Sequence, residues 1–90
     1  TSDVTWPHGD KPVLLIVEDD PTFARMLSGL AAEAGFDSVI TASGRMALAL
    51  AKQHQPAAIT LDIGLPDMAG WVVLVVLKHD LATRHIPFNV

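Results

Sequence analysis

The clearest hydrophobic stretch in the first part of the chain is Val13–Val17, five aliphatic residues with no polar residue among them. Such a run is typical of a strand that is covered on both faces, as in a parallel sheet between two layers of helices. Phe36–Thr41 and Ala57–Leu61 predict two further short strands, and Ile86–Val90 predicts the opening of a fourth.

Two helices with clear end signals are predicted between these strands. In the first, Asp20 is the predicted N-cap, Pro21 is the first helical residue and Gly35 is the stop. The second helix begins after its cap at Ser43 and ends before Pro56.

The segment Trp71–Asp80 gives two conflicting signals. Its valine-rich composition favours a strand, whereas its place in an alternating order of strands and helices favours a helix. Because Leu74, Leu77 and Leu81 recur at helical spacing, we interpret the segment as a helix. The alternation then predicts an α/β fold with a parallel sheet.

Composition and charge exclude several other classes of protein. Six Lys and Arg against ten Asp and Glu give a formal net charge of −4, and half of the residues are hydrophobic. This balance fits neither a disordered acidic tail nor a basic nucleic-acid-binding arm, so we expect no direct binding to nucleic acid. No cysteine is present, which excludes a disulfide framework and a thiolate metal site.

Length and hydropathy predict a single domain of a cytoplasmic protein. Ninety residues leave room for one domain. The longest apolar run, Trp71–Leu77, is far too short to span a bilayer, and the first residues lack a signal-peptide core, so we expect no membrane association. Residues 1–12 show no periodicity, and we interpret them as a linker or mobile leader ahead of a domain at 13–90.

Acidic residues follow two of the predicted strands at their carboxyl ends. Glu18 and Asp19 come directly after the first strand, and Asp62 comes directly after the third. In an open parallel sheet these ends meet at the edge where such folds bind ligands. Converging carboxylates repel one another, and a hard divalent cation such as Mg²⁺ relieves that repulsion because it prefers oxygen ligands. The backbone carbonyl of Gly64 is a further candidate ligand.

A magnesium site of this kind implies a phosphate-bearing substrate, because Mg²⁺ in proteins is usually shared between carboxylates and phosphate oxygens. An ionised aspartate at a strand end can attack phosphorus in line and form an acyl phosphate. Asp62 stands alone on its strand, so it is the candidate nucleophile as well as a candidate metal ligand.

Three segments together resemble the receiver domain of two-component response regulators. They are residues 15–20 (LIVEDD), residues 61–70 (LDIGLPDMAG) and the pair Ile86–Pro87. The resemblance spans residues 13–90 and implies a flavodoxin-like, doubly wound parallel sheet. It also implies Mg²⁺-dependent transfer of a phosphoryl group from a phosphohistidine to Asp62, with a sensor histidine kinase or a phosphotransfer protein as the partner.

By position, the resemblance assigns roles to the other candidate residues. Asp19 matches the direct metal ligand, Glu18 its acidic neighbour and Gly64 the carbonyl ligand. Receivers usually have five strands, with a Ser or Thr ending the fourth and a Lys ending the fifth, and neither residue falls within this chain. We therefore expect an incomplete receiver that self-associates through an exposed sheet edge. The longer protein that contains this domain is expected to be, for example, a hybrid sensor histidine kinase. The domain by itself is assigned no enzyme class, because any kinase activity would belong to another part of that protein.

Two other functions stay open on the sequence alone. A degenerate receiver would act only as a protein-docking module, although the acidic residues that such a module usually loses are all present here. A phosphohydrolase with an aspartate nucleophile would need a second aspartate two residues later as general acid, and Gly64 stands at that place. The phosphoacceptor is therefore the leading hypothesis.

Several residues near the candidate site are predicted to be structural. Asp67 follows a proline, and we interpret it as a turn residue because aspartate side chains stabilise turns by hydrogen bonding. Trp71 is predicted to be a packing residue, and the four histidines are predicted to lie at the surface.

Overall fold

The structure is a computed structural model that describes residues 5–90, so the first four residues of the predicted leader lie outside the described residues. Strands and helices alternate along the chain. In order, they are β1 (Val13–Val17), α1 (Pro21–Glu33), β2 (Asp37–Thr41), α2 (Gly44–His54), β3 (Ala58–Leu61), α3 (Gly70–Lys78) and β4 (Phe88–Asn89). Each predicted element is present, and its ends differ from the predicted ones by two residues at most.

The described strands form one parallel sheet in the order β2-β1-β3-β4. Because β1 pairs with β2 on one side and β3 on the other, Leu15 lies between Val39 and Ile59. The chain first winds from β1 outwards to β2 and then crosses to β3, which makes the boundary between β1 and β3 the topological switch point. This order confirms the flavodoxin-like, doubly wound class.

Helices cover both faces of the sheet. Successive residues of a strand point to opposite faces, and Leu15 and Val17 pack with Val73 and Leu77 of α3 in one core cluster that also includes residues of α2. Ile16 is fully buried on the other face, which α1 covers. Val73 and Leu77 lie four residues apart, so a helix buries both of them, and this burial outweighs the strand propensity of the valines.

Side-chain caps set where α1 and α2 begin. The Asp20 carboxylate accepts hydrogen bonds from the backbone N–H groups of Thr22 at 3.0 Å and Phe23 at 3.4 Å. The Ser43 hydroxyl accepts one from Met46 N–H at 3.1 Å. Both caps are as predicted, and they place the first turn of each helix just beyond the carboxyl end of the preceding strand.

Two aromatic side chains lie where the sequence did not predict them. Trp71 is 61% exposed rather than packed, because the inward positions of α3 are taken by Val73 and Leu77. Trp6, in the predicted leader, is half-buried and stacks on His54 with ring centroids 4.4 Å apart. A single tryptophan has no periodicity, which is why the pattern of residues 1–12 did not indicate this contact. Within residues 5–90, no helix is both long enough and apolar enough to cross a membrane.

Candidate functional site

Three carboxylates converge at the carboxyl edge of the sheet. Glu18 and Asp19 follow β1, Asp62 follows β3, and one oxygen from each lies within 4.8 Å of the others. The strand pairing causes this convergence, because Val17 lies beside Leu61 and the Asp62 backbone N–H donates to the Val17 carbonyl at 2.9 Å. The structure therefore brings together the side chains whose positions after neighbouring strands predicted that they would meet.

The carboxylates of Glu18 and Asp62 differ in their affinity for a proton. Burial raises the pKa of Glu18 above its ordinary value, and the nearby charges of Asp62 and Asp19 raise it further. A hydrogen bond from the Asp20 N–H at 3.1 Å acts in the opposite direction and offsets part of this rise. The pKa of Asp62 is lowered, chiefly because its Oδ1 accepts a hydrogen bond from the Gly64 N–H at 3.2 Å. Asp62 is thus the group of this pair that holds its negative charge more readily.

The loop after β3 folds back on itself and fixes the backbone around Asp62. Gly64 forms an antiparallel bridge with Ala69, and the Gly70 N–H donates to the Ile63 carbonyl at 2.8 Å. A Cβ atom at Gly70 would press against the Asp62 carbonyl oxygen and would lie 2.9 Å from Ile63 Cα. Gly70 is therefore required for the close approach that closes the loop beside Asp62.

Asp67 has contacts beyond the turn role that the sequence predicted. Its carboxylate accepts hydrogen bonds from the backbone N–H groups of Gly44 at 2.8 Å and Arg45 at 2.9 Å, and from the Ser43 hydroxyl at 3.0 Å. The bonds from Arg45 and then Gly44 lower the pKa of Asp67 to about 2. The turn interpretation was incomplete, because these partners lie more than twenty residues away and no local pattern indicates them.

The donor set at the three carboxylates fits a hard divalent cation. All of the side-chain donors are oxygens, and Glu18 and Asp62 are half-buried while Asp19 is exposed. Zinc sites in proteins usually include histidine or cysteine, whereas Mg²⁺ takes carboxylate and carbonyl oxygens and keeps water molecules on its open side. The exposed side at Asp19 leaves room for those waters, so the arrangement favours Mg²⁺ over Zn²⁺.

Residues 14–87 match the family model described as the response regulator receiver domain. The chain belongs to this family. The matched residues include Glu18, Asp19, Asp62 and Gly64, so the carboxylate cluster lies inside the receiver domain. The chain is therefore a receiver domain of two-component signalling, with the strand order described above.

Individual relatives agree with the family. The polar-differentiation response regulator DivK of Brucella ovis is 39% identical over 74 residues, covering 82% of this chain and 60% of that protein. A sensor protein from Polaromonas sp. JS666 has a similar structure, with a TM-score of 0.81 and 36% identity over 91% of this chain and 63% of that chain. The signal receiver domain of a histidine kinase from Syntrophus aciditrophicus gives a TM-score of 0.81 and 32% identity, over 86% and 58% of the two chains. This receiver domain thus spans less than two thirds of the length of these relatives.

Proposed function

We propose that this receiver domain accepts a phosphoryl group on Asp62 from a phosphohistidine of a sensor histidine kinase or phosphotransfer protein. Mg²⁺ would be held by the carboxylates of Glu18, Asp19 and Asp62 and by the backbone carbonyl of Gly64. The observation that carries the proposal is the convergence of three carboxylates within 4.8 Å at the switch point of the sheet. The expected location of this exchange is the cytoplasm.

The chemistry that this site supports is an in-line transfer to a carboxylate oxygen. An oxygen of Asp62 forms a bond to phosphorus while the bond between phosphorus and the imidazole nitrogen breaks, and the bonding electron pair leaves with the imidazole. The low pKa of Asp62 keeps the carboxylate ionised, and the hydrogen bond from the Gly64 N–H fixes its rotation. When bound, Mg²⁺ supplies positive charge that offsets the negative charge of the carboxylates and the phosphoryl oxygens.

The two alternative functions have less support from the site. A phosphohydrolase of the aspartate type needs a general acid near its nucleophile, and at the sequence position expected for it Gly64 offers only a backbone N–H. A module that only docks to partners has no need for three converging carboxylates, which repel one another in the absence of a cation. Phosphorylation of Asp62 separates the phosphoacceptor from the docking module, which would not be modified.

A titration with Mg²⁺ tests the metal site in the full-length protein. We expect saturable changes in the backbone amide resonances near Glu18, Asp62 and Gly64, and we expect Asp19→Asn to weaken them. Asp10→Asn is the matched control, because it removes the same charge at an exposed position in the segment that precedes β1. Absence of a saturable change in the wild-type protein, or equal effects of the two variants, would overturn the proposed site.

Phosphorylation by a small phosphodonor tests the acceptor. We expect the wild-type protein to gain one phosphoryl group that hydroxylamine removes, because an acyl phosphate reacts with this nucleophile. Asp62→Asn should gain none, since an amide of similar shape is a poor nucleophile. A wild-type protein that binds Mg²⁺ but stays unmodified by both the phosphodonor and a panel of kinases would favour the docking module. A hydroxylamine-resistant phosphate on another residue would contradict the assignment of Asp62.

A further inference from the structure

The tip of the loop between β3 and α3 is attached to the first turn of α2 through the carboxylate of Asp67. The Gly44 N–H donates to Oδ1, whereas the Arg45 N–H and the Ser43 hydroxyl donate to Oδ2. Both oxygens of the carboxylate are therefore used. The first turn of α2 contains no acidic residue of its own, so Asp67 supplies the negative charge that the amino-terminal end of a helix favours.

A second contact holds the loop at the same place. A Cβ atom at Gly44 would lie 2.6 Å from Met68 Cγ and 3.0 Å from Val73 Cγ2. The absence of a side chain at the first residue of α2 therefore lets Met68 come close to the helix backbone. Asp67 and Met68 are neighbours in the sequence, so a polar contact and an apolar contact fix two successive residues of the loop.

The position of the loop tip is linked to the carboxylate site through the closed base of the loop. The Gly70 N–H bonds to the Ile63 carbonyl, and Gly64 is bridged to Ala69. Because Ala69 directly follows Met68 and is bridged to Gly64, a shift of the loop tip acts on Gly64 through Ala69. The Gly64 N–H in turn donates to Asp62 Oδ1 at 3.2 Å, so the position of Gly64 bears directly on the Asp62 carboxylate.

The first turn of α2 is itself anchored to the end of β1. The Ser43 N–H donates to Thr41 Oγ1 at 3.2 Å, and the Thr41 carbonyl accepts a hydrogen bond from the Glu18 N–H at 2.9 Å. Asp67 therefore completes a ring of contacts that runs from Glu18 through the start of α2 and the loop to Asp62. Both strand ends that carry the site's carboxylates belong to this ring.

We propose that Asp67 is a positioning residue, which ties the loop at residues 62–69 to the first turn of α2 and thereby holds the Gly64 backbone in place beside Asp62. The expected consequence is that the Gly64 carbonyl is correctly placed to bind Mg²⁺, and in this respect the inference rests on the proposed function. The attachment itself does not depend on any metal. Asparagine cannot replace the aspartate, because its amide has one acceptor oxygen and the Gly44 and Arg45 N–H groups approach different oxygens.

The test compares two variants on the contact with one control. Asp67→Asn removes part of the polar contact, and Gly44→Ala displaces Met68 from the helix side without a change in charge. Asp80→Asn is the control, because Asp80 also accepts a backbone hydrogen bond, from the Ala82 N–H at 2.9 Å, beyond the far end of α3. Thermal unfolding of all three establishes that they are folded under the conditions used.

Two readouts are measured in the full-length protein. The first is hydrogen exchange of the buried Gly70 amide without metal, which we expect to be several-fold faster in Asp67→Asn and Gly44→Ala than in the wild-type protein. The second is the dissociation constant for Mg²⁺, which we expect to rise about tenfold in both variants, as is typical when a partner that orients a metal ligand is lost. The control should change neither.

The outcomes separate this inference from the proposed function. Lower thermal stability with unchanged Gly70 exchange would show that Asp67 only caps α2, and the inference would be wrong. If the wild-type protein binds no Mg²⁺, the proposed metal site fails, and the exchange of Gly70 alone decides whether Asp67 holds the loop. Faster exchange with an unchanged Mg²⁺ dissociation constant would overturn the link between the loop and the site.

Discussion

Asp62 and Asp67 lie in the same loop region, and in both the negative charge is stabilised by backbone N–H groups rather than by a cationic side chain. Gly64 donates to Asp62, and Gly44 and Arg45 donate to Asp67. Hydrogen bonds to the charged form lower the pKa of a carboxyl group, which is the direction for both residues. Backbone N–H groups, from the loop for Asp62 and from the first turn of α2 for Asp67, therefore favour the charged form of both carboxylates.

The contribution of Asp67 to stability should depend on pH in a defined window. Its pKa in the folded protein is about 2, below the ordinary value of 3.8, so the folded state binds fewer protons than the unfolded state between these values. The stabilisation is then complete above pH 3.8 and is lost as the pH falls towards 2.

We therefore expect the wild-type protein to melt at a higher temperature than Asp67→Asn at neutral pH. The gap should close as the pH falls through that window. Thermal unfolding of both proteins at a series of pH values checks this expectation. A gap that stays constant down to the lowest pH would mean that ionisation of Asp67 does not stabilise the fold.

The positions of the three carboxylates in the sequence predict that they meet, whereas the position of Asp67 does not predict its contacts with α2. Glu18, Asp19 and Asp62 could be predicted to meet because each directly follows a strand of one parallel sheet, and strand order alone fixes their neighbourhood. The contact between Asp67 and Gly44 joins a loop to a helix start 23 residues away. It depends on how closely α2 approaches the loop, and that distance follows from packing rather than from local pattern.

Among the structural elements, the loop after β3 depends most on a single glycine. Gly70 begins α3 and lies against the backbone of Asp62 and Ile63, so Gly70→Ala must push these segments apart. We expect this variant to lower the free energy of unfolding by about 1 to 3 kcal/mol, as is typical of overpacking. It should also slow phosphorylation of Asp62, because the loop backbone shifts.

Gly29 provides the matched control for this change. It lies in an exposed part of α1, and a Cβ atom there would meet nothing within 4 Å. Gly29→Ala should raise the free energy of unfolding by about 0.5 to 1 kcal/mol, because alanine favours a helix. Chemical denaturation of both variants gives the comparison. Equal effects of the two substitutions would contradict the close contact at Gly70.

Helix α3 shows how burial decides an ambiguous sequence. Its valines favour a strand, yet Val73 is fully buried against the sheet while Val76 is 45% exposed. Position in the alternating order was therefore a better guide than composition. Which of the valines face inwards could not be predicted, because a helix that is apolar all round shows no polar face in its sequence.

The same substitution on the two faces of α3 should have different effects. Val73→Ala leaves a cavity and should lower the free energy of unfolding by about 2 kcal/mol. Val76→Ala should change it by less than about 0.5 kcal/mol, since the side chain is half in solvent and alanine favours the helix. Urea denaturation measures both. A large loss in Val76→Ala would mean that this face is covered in solution.

At the scale of the whole molecule, some large apolar side chains lie on the surface, in addition to those that form the core. Trp71 and Leu81 are each more than 60% exposed. Within residues 5–90, β2 and β4 form the two edges of the sheet, and β4 pairs only with β3. The outer edge of β4 presents backbone N–H and C=O groups that no other described strand pairs with, and such an edge favours pairing with another chain.

We expect these 90 residues to self-associate through the edge at β4, as the sequence predicted. Sedimentation velocity should show the average mass rising with protein concentration. The association should be stronger at higher salt, because the net charge of −4 repels a second copy and salt screens that repulsion.

Asn89→Lys places a charge on the β4 edge and should weaken the association, whereas Trp71→Lys, on the exposed side of α3, should leave it unchanged. A monomer at every concentration would contradict self-association, and a monomer only in Trp71→Lys would place the contact on α3 instead of the sheet edge.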